Sequence, residues 1–221
     1  PNLKRLKQGF LLGLPIGLQI FAEVSIFAAV GLLMSRFSTN VISASQSAMN
    51  FATLLYAFPL SVSITMPIAV SFEIGSGDYQ SARDFAKIGR LTAMVFAVVT
   101  LTALYFLRRE VAYLYGSGHD FISLTTELLV YAFFFQLADA FTAPIQGILR
   151  GYKDTTYPFI IGVTAYWGIA LPLGWGLDMV TTLGPKSYWL GLIAGLFACG
   201  FLLHLRLHHI EQRYVVKQDS F

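Results

Sequence analysis

The chain has 221 residues, of which 56% are hydrophobic, 15% aromatic and only 12% charged. Soluble domains carry about 25% charged residues, and a domain of this size has too little interior to hide so much apolar surface. With a mean hydropathy of +0.64, a water-soluble fold is excluded; so is disorder, which goes with few aromatics and much charge.

The composition is that of a membrane protein. A net charge of +3 would hint at nucleic acid in a soluble chain. Here the Lys and Arg residues sit between long apolar runs, so the excess reflects membrane orientation and no nucleic-acid partner is expected. The single cysteine, Cys199, permits no disulfide within the chain and reads as a small buried side chain. The sequence opens Pro1-Asn2 without a Met, which points to a processed chain or a piece of a longer one. No small-residue cleavage site follows the first apolar stretch, so no signal peptide is expected.

Six apolar stretches, at about 9–34, 42–72, 86–107, 122–149, 156–178 and 187–206, are each long enough to cross the roughly 30 Å of a bilayer core. The expected fold is therefore an all-α, six-transmembrane-helix bundle occupying the whole of 1–221. The first stretch carries Gly9, Gly13 and Gly17 at four-residue spacing, a pattern for close helix packing. Pro15 lies inside it, and Glu23 sits near its middle, one turn after Gln19. The second carries Gln46, Asn50 and Thr53 at i, i+4, i+7, then Tyr56 just before Pro59, with Pro67 beyond. Interior prolines remove backbone hydrogen bonds and kink helices. In the fourth, Gln136, Asp139, Thr142 and Gln146 run along one face. Glu127, near the start of that stretch, has no role evident from the sequence. The last repeats the close-packing pattern at Gly191 and Gly195 and ends with His204, His208 and His209. These histidines read as an interfacial cationic cluster in preference to a metal pair.

Orientation follows from the basic residues. Lys4, Arg5, Lys7, Arg83, Lys87, Arg90, Arg150, Lys153, Arg206, Arg213 and Lys217 fall on one side, against Arg36, Arg108, Arg109 and Lys186 on the other. That asymmetry places both termini in the cytoplasm. Acidic residues near the cytoplasmic side, among them Asp78, Asp84, Asp154 and Glu211, read as solvated.

Two carboxylates, Glu23 and Asp139, lie too deep in apolar helices to be incidental. An ionised carboxylate at the bilayer centre costs on the order of 2.5–3.5 kcal/mol on insertion scales. Taking up a proton or holding a cation relieves that cost, and either makes the group a coupling site; the alternative is a satisfied interhelical hydrogen bond. Polar faces on three helices together point to a wet cavity lined by Gln19, Gln46, Asn50, Thr53, Gln136, Thr142 and Gln146. Enzymatic chemistry is not expected. Leu183-Gly184-Pro185-Lys186-Ser187 has proline where a P-loop needs glycine. Gly75-Ser76-Gly77 and Gly116-Ser117-Gly118 do not match GxSxG, and no HExxH or CxxC occurs. No cofactor is called for.

The run Gly147-Ile148-Leu149-Arg150-Gly151-Tyr152-Lys153-Asp154-Thr155-Thr156-Tyr157-Pro158 strongly resembles the G-x-L-R-G-x-x-D-T-x-x-P signature of the multidrug and toxic compound extrusion (MATE) family. Gly13-Leu14-Pro15-Ile16 followed by Glu23 is similar to the seventh helix of its bacterial NorM-type branch. Gly77-Asp78-Tyr79 through Ala82-Arg83 to Gly89-Arg90 is similar to the loop between helices eight and nine. The resemblance spans essentially the whole chain as helices seven to twelve, one lobe of a two-lobed antiporter whose N-terminal six-helix lobe would be its partner.

It implies export of cationic, amphiphilic drugs across a bacterial cytoplasmic membrane, driven by Na⁺ or H⁺. Glu23, Asp139 and Tyr56 would be the cation-binding residues, with Na⁺ possible at Glu23 and Asp139. Phe135 departs from the pattern, since some relatives carry Tyr there. A lipid-linked sugar flippase of the same superfamily is the alternative within transport. It is disfavoured because the basic residues fall almost only in loops and at helix ends. A non-transporting membrane subunit is the alternative outside it.

Overall fold

The structure, a computed structural model, describes residues 3–218, with side chains to Tyr214. The Lys217 side chain and Asp219 therefore lie outside the described residues. The chain forms α1 (Leu3–Met34), α2 (Thr39–Ser76), α3 (Tyr79–Tyr115), α4 (His119–Gly151), α5 (Thr156–Val163), a π-helical segment (Thr164–Ala170), α6 (Leu171–Val180) and α7 (Pro185–Gln218). Since α5, the π segment and α6 run on as one rod, six helices among the described residues are long and apolar enough to cross a membrane.

Several helices outrun the hydrophobic stretches that mark them. The polar segment 73–85, expected as a connector, is almost entirely helical. Gly77 adopts a left-handed conformation (φ 87°), and its N–H closes back on the last turn of α2. The next residue, Asp78, starts α3 by accepting from the Ser81 N–H at 2.9 Å and the Ser81 hydroxyl at 2.8 Å. Those hydrogen bonds hold the Asp78 carboxyl below the usual aspartate range. A left-handed glycine and a capping aspartate thus turn the chain within two residues, and helix extends past the apolar boundary on both sides.

The bundle is organised around α4, which packs on α2, α3 and α7. From Ala138 to Leu149 of α4 all but Phe141 are buried. Its backbone meets that of α2 directly: a methyl group on Gly147 would collide with the Ser63 carbonyl, and one on Gly151 would sit 2.8 Å from the Val70 Cβ. The Gly191/Gly195 pattern makes a second close contact, against the backbone of Ala165, Ala170 and Gly174. The Gly9/Gly13/Gly17 pattern does not. Nothing among the described residues lies within 4 Å of a Cβ at any of the three, because that face of α1 turns away from the bundle. α1 packs instead on α5 and the π segment. It meets the other helices towards its C-terminal end, through Phe27 against Phe135 (ring centroids 5.9 Å) and Met34 against Ser45.

Ion pairs tie the helix ends. Arg36, after α1, pairs with Asp178 on α6, and both engage the Tyr188 hydroxyl of α7. Glu127 pairs with Lys186, which gives this acid a role. At the other end, Asp154 accepts from Arg206 at 2.6 Å, and the guanidinium lies 3.5 Å from the centre of the Tyr157 ring. Glu211 lies between Arg83 at 3.7 Å and Arg90 at 3.9 Å. Asp154 and Glu211 therefore depart from the solvated reading: Glu211 is only 5% exposed, since its basic partners come from α3, remote in sequence.

Overpacking a close contact costs about 1–3 kcal/mol. Gly147→Ala is expected to lower the melting temperature of the detergent-solubilised protein by several degrees, with Gly13→Ala, on the open face, leaving it unchanged. Thermal unfolding of the two variants checks this.

Candidate functional site

A cavity of about 460 Å³ lies between α1, α2 and α4. Each wall is one face of a helix. On α1, Ile20, Glu23, Val24 and Phe27 recur at i, i+3, i+4, i+7. On α2 the wall runs from Met49 and Thr53 through Tyr56 to Ser63, and on α4 it runs from Phe135 and Asp139 to Gln146 and Arg150. The α4 positions cover roughly 22 Å at 1.5 Å per residue, so the cavity is a long groove along the bundle. The Phe27–Phe135 contact lies at one end and Arg150 at the other.

Five of the ten residues singled out from the sequence meet here: Glu23, Asp139, Tyr56, Thr53 and Gln146. Glu23 is half-buried, whereas Asp139 is buried against the core of α4. The other five stand elsewhere. Gln136 is buried between α4 and α2. In the orientation that satisfies both neighbours, its amide donates to the Ala52 carbonyl at 3.1 Å and accepts from the Tyr56 N–H at 3.2 Å. It therefore fixes the α2 turn that presents Tyr56 and does not line the cavity. Thr142 is buried and donates to the Ala138 carbonyl of its own helix at 2.8 Å. Gln19 is buried on α1 against Gly162. Gln46 and Asn50 line a separate open groove with Tyr115, whose hydroxyl donates to Asn50 Oδ1 at 2.9 Å. Their stripe does continue into the cavity through Thr53, but Gln46 and Asn50 themselves face Tyr115 of α3.

Arg150 is the lining residue that the sequence reading placed elsewhere. At the end of α4 it reads as a loop charge, yet its side chain turns into the cavity and its Nε is buried without a partner. A signal was present: Arg150 follows Asp139 by eleven residues, just over three full turns, which puts both on one face. The cavity thus holds two carboxylates and one guanidinium among apolar and aromatic walls. Such a site can bind a cation through its carboxylates and cover an apolar body with its walls.

The MatE family model matches residues 15–175. This chain belongs to the MatE family. The resemblance read from the Gly147–Pro158 signature is borne out. Two proteins described as "Probable multidrug resistance protein NorM" are close relatives. That of Streptococcus pneumoniae R6 is 50% identical over 213 residues, covering 96% of this chain and 47% of the relative. That of Bacillus subtilis 168 is 47% identical over 215 residues, covering 97% and 48%. The chain therefore spans about half the length of the curated relatives it matches.

Solved structures share the fold. The eukaryotic MATE transporter AtDTX14 superposes with a TM-score of 0.86 at 18% identity, covering 98% of this chain and 50% of that one. A MOP superfamily transporter from Pyrococcus furiosus, whose binding pocket is described as of reverse polarity, superposes at 0.87 with 14% identity, covering 97% and 48%.

The lining can be read by cysteine accessibility once the buried Cys199 is replaced by alanine. A cysteine at Thr53 is expected to react with a small hydrophilic thiol reagent in membranes. Cysteines at Gln136 and Thr142 are expected to stay unmodified, with labelling slower by at least about tenfold, since only thiolates open to solvent react.

Proposed function

We propose that this chain forms one lobe of a cation-coupled antiporter that exports cationic, amphiphilic compounds from a bacterial cell, with Na⁺ or H⁺ as the driving ion. One observation carries the reading: Glu23 and Asp139, on different helices, face the same apolar-walled cavity. Their carboxylates suit either a monovalent cation or the charged end of a drug. Ile20, Val24, Phe27 and Phe135 suit its apolar body. Tyr56, held by Gln136, adds a hydroxyl as a third oxygen. The descriptions of the relatives as multidrug resistance proteins support the same reading.

The coupling ion and the substrate compete for the same carboxylates, and each shifts the transporter only by its differential affinity for the two states. A second six-helix lobe completes the transport path, and both termini of this chain face the cytoplasm. Arg150 gives the flippase alternative a foothold, since a guanidinium in the cavity would suit a pyrophosphate. Two carboxylates against one guanidinium still leave the site favouring cations.

Replacing either carboxylate by its amide keeps shape and removes charge. Glu23→Gln and Asp139→Asn are each expected to cut gradient-driven efflux of a lipophilic cationic dye from cells by about tenfold or more, the scale of a lost charged interaction. Dye efflux near the unmodified rate in both variants would overturn the proposal.

A further inference from the structure

The rod Thr156–Val180 widens from α- to π-helix over Thr164–Ala170 and then returns. The Leu171 N–H closes on the Tyr166 carbonyl, the five-residue step of a π turn. Such turns are frequent at functional sites. This one is fastened to the turn of α1 that carries Glu23. The Trp167 indole N–H donates to the carbonyl of Ala22, the residue before Glu23, at 3.2 Å. One turn earlier on α1, Gln19 lies against Gly162, just ahead of the π segment. On its other side the segment is backed by α7, where Gly191 and Gly195 press on Ala170 and Ala165.

Tyr166 does not line the cavity. Its side chain is 3% exposed, and its hydroxyl is buried without a completed hydrogen bond, in reach of the Glu23 carboxylate. The Gln19 Nε2, on the turn of α1 before Glu23, is likewise buried and unpartnered. Buried donors without acceptors are rare in folded proteins, and the Tyr166 hydroxyl, unpartnered and in reach of a carboxylate, is a donor held ready for it. The charged or titratable groups that face Glu23 are Tyr56 on α2, Asp139 and Arg150 on α4, Tyr166 on the π segment and Cys199 on α7.

Resting on the reading of Glu23 as a cation site, we infer that Tyr166, set in place by the π turn, is a positioning residue for Glu23. Its hydroxyl donates to one carboxylate oxygen and leaves the other facing the cavity for the driving cation. Without it the carboxylate is free to swing toward the Arg150 guanidinium, which competes with the cation for the same oxygens.

Tyr166→Phe keeps the ring and removes only the hydroxyl. In liposomes containing the protein as the cell makes it, dye export is measured against Na⁺ at fixed pH and against a proton gradient without Na⁺. The half-saturating level of the driving cation is expected to rise about threefold or more with the maximal rate within about twofold, the pattern of lost ground-state positioning. An unchanged half-saturating level overturns the inference. If the variant does not transport, the same comparison is made by the cation concentration that raises the melting temperature of the purified protein, and an unchanged concentration again overturns it. Glu23→Gln, run in parallel, separates the two readings. Normal cation dependence in Glu23→Gln overturns the cation role of Glu23 itself, whereas its loss beside an unshifted Tyr166→Phe overturns the positioning role alone.

Discussion

The direct backbone contact of α2 with α4 at Ser63 and Gly147 is the constraint on which the site depends. It can form only because position 147 has no side chain, and it brings Tyr56 and Asp139 onto adjoining walls of one groove. Gln136 reinforces it about three turns away along α4 by engaging both ends of a single turn of α2. With α2, α3 and α4 joined in this way, α1 stands across the groove, seated on α5 and the π segment. Glu23 and Asp139 therefore belong to different packing units. On the proposed reading, a cation held between them would bridge those units, and its binding would be an event of packing as well as of charge.

The six spans were legible because hydropathy over about twenty residues is a strong signal. Their ends were not: the helical extension at Tyr79–Phe85 depends on one aspartate and one left-handed glycine, which hydropathy does not weigh. The deep carboxylates were legible for the opposite reason, as isolated violations of an apolar pattern. Glycine spacing was ambiguous. The Gly191/Gly195 pair meets a partner helix and the Gly9/Gly13/Gly17 set does not, and only tertiary structure separates two patterns that read alike.

Charged residues misled where their partners lie far along the chain. Glu211 and Asp154 read as solvated because Arg83, Arg90 and Arg206 are adjacent only in space. Arg150 read as a loop charge because it ends a helix, although a long side chain at a helix end can turn back along it. The π turn at Thr164–Ala170 had no signature at all. Its seven residues are ordinary for a membrane helix, and the wider turn is visible only in the hydrogen-bond pattern.

The guanidinium of Arg150 also fixes a count. With Glu23 and Asp139 both ionised, the groove carries two negative charges and one positive. It is a single elementary charge short of neutrality, so one monovalent ion balances it and a second would be in excess. On the proposed antiport reading, such a site would exchange charge for charge. One ion entering and one monocation leaving would move no net charge, and the membrane voltage would then do no work on the cycle, leaving the chemical gradient as its source of energy.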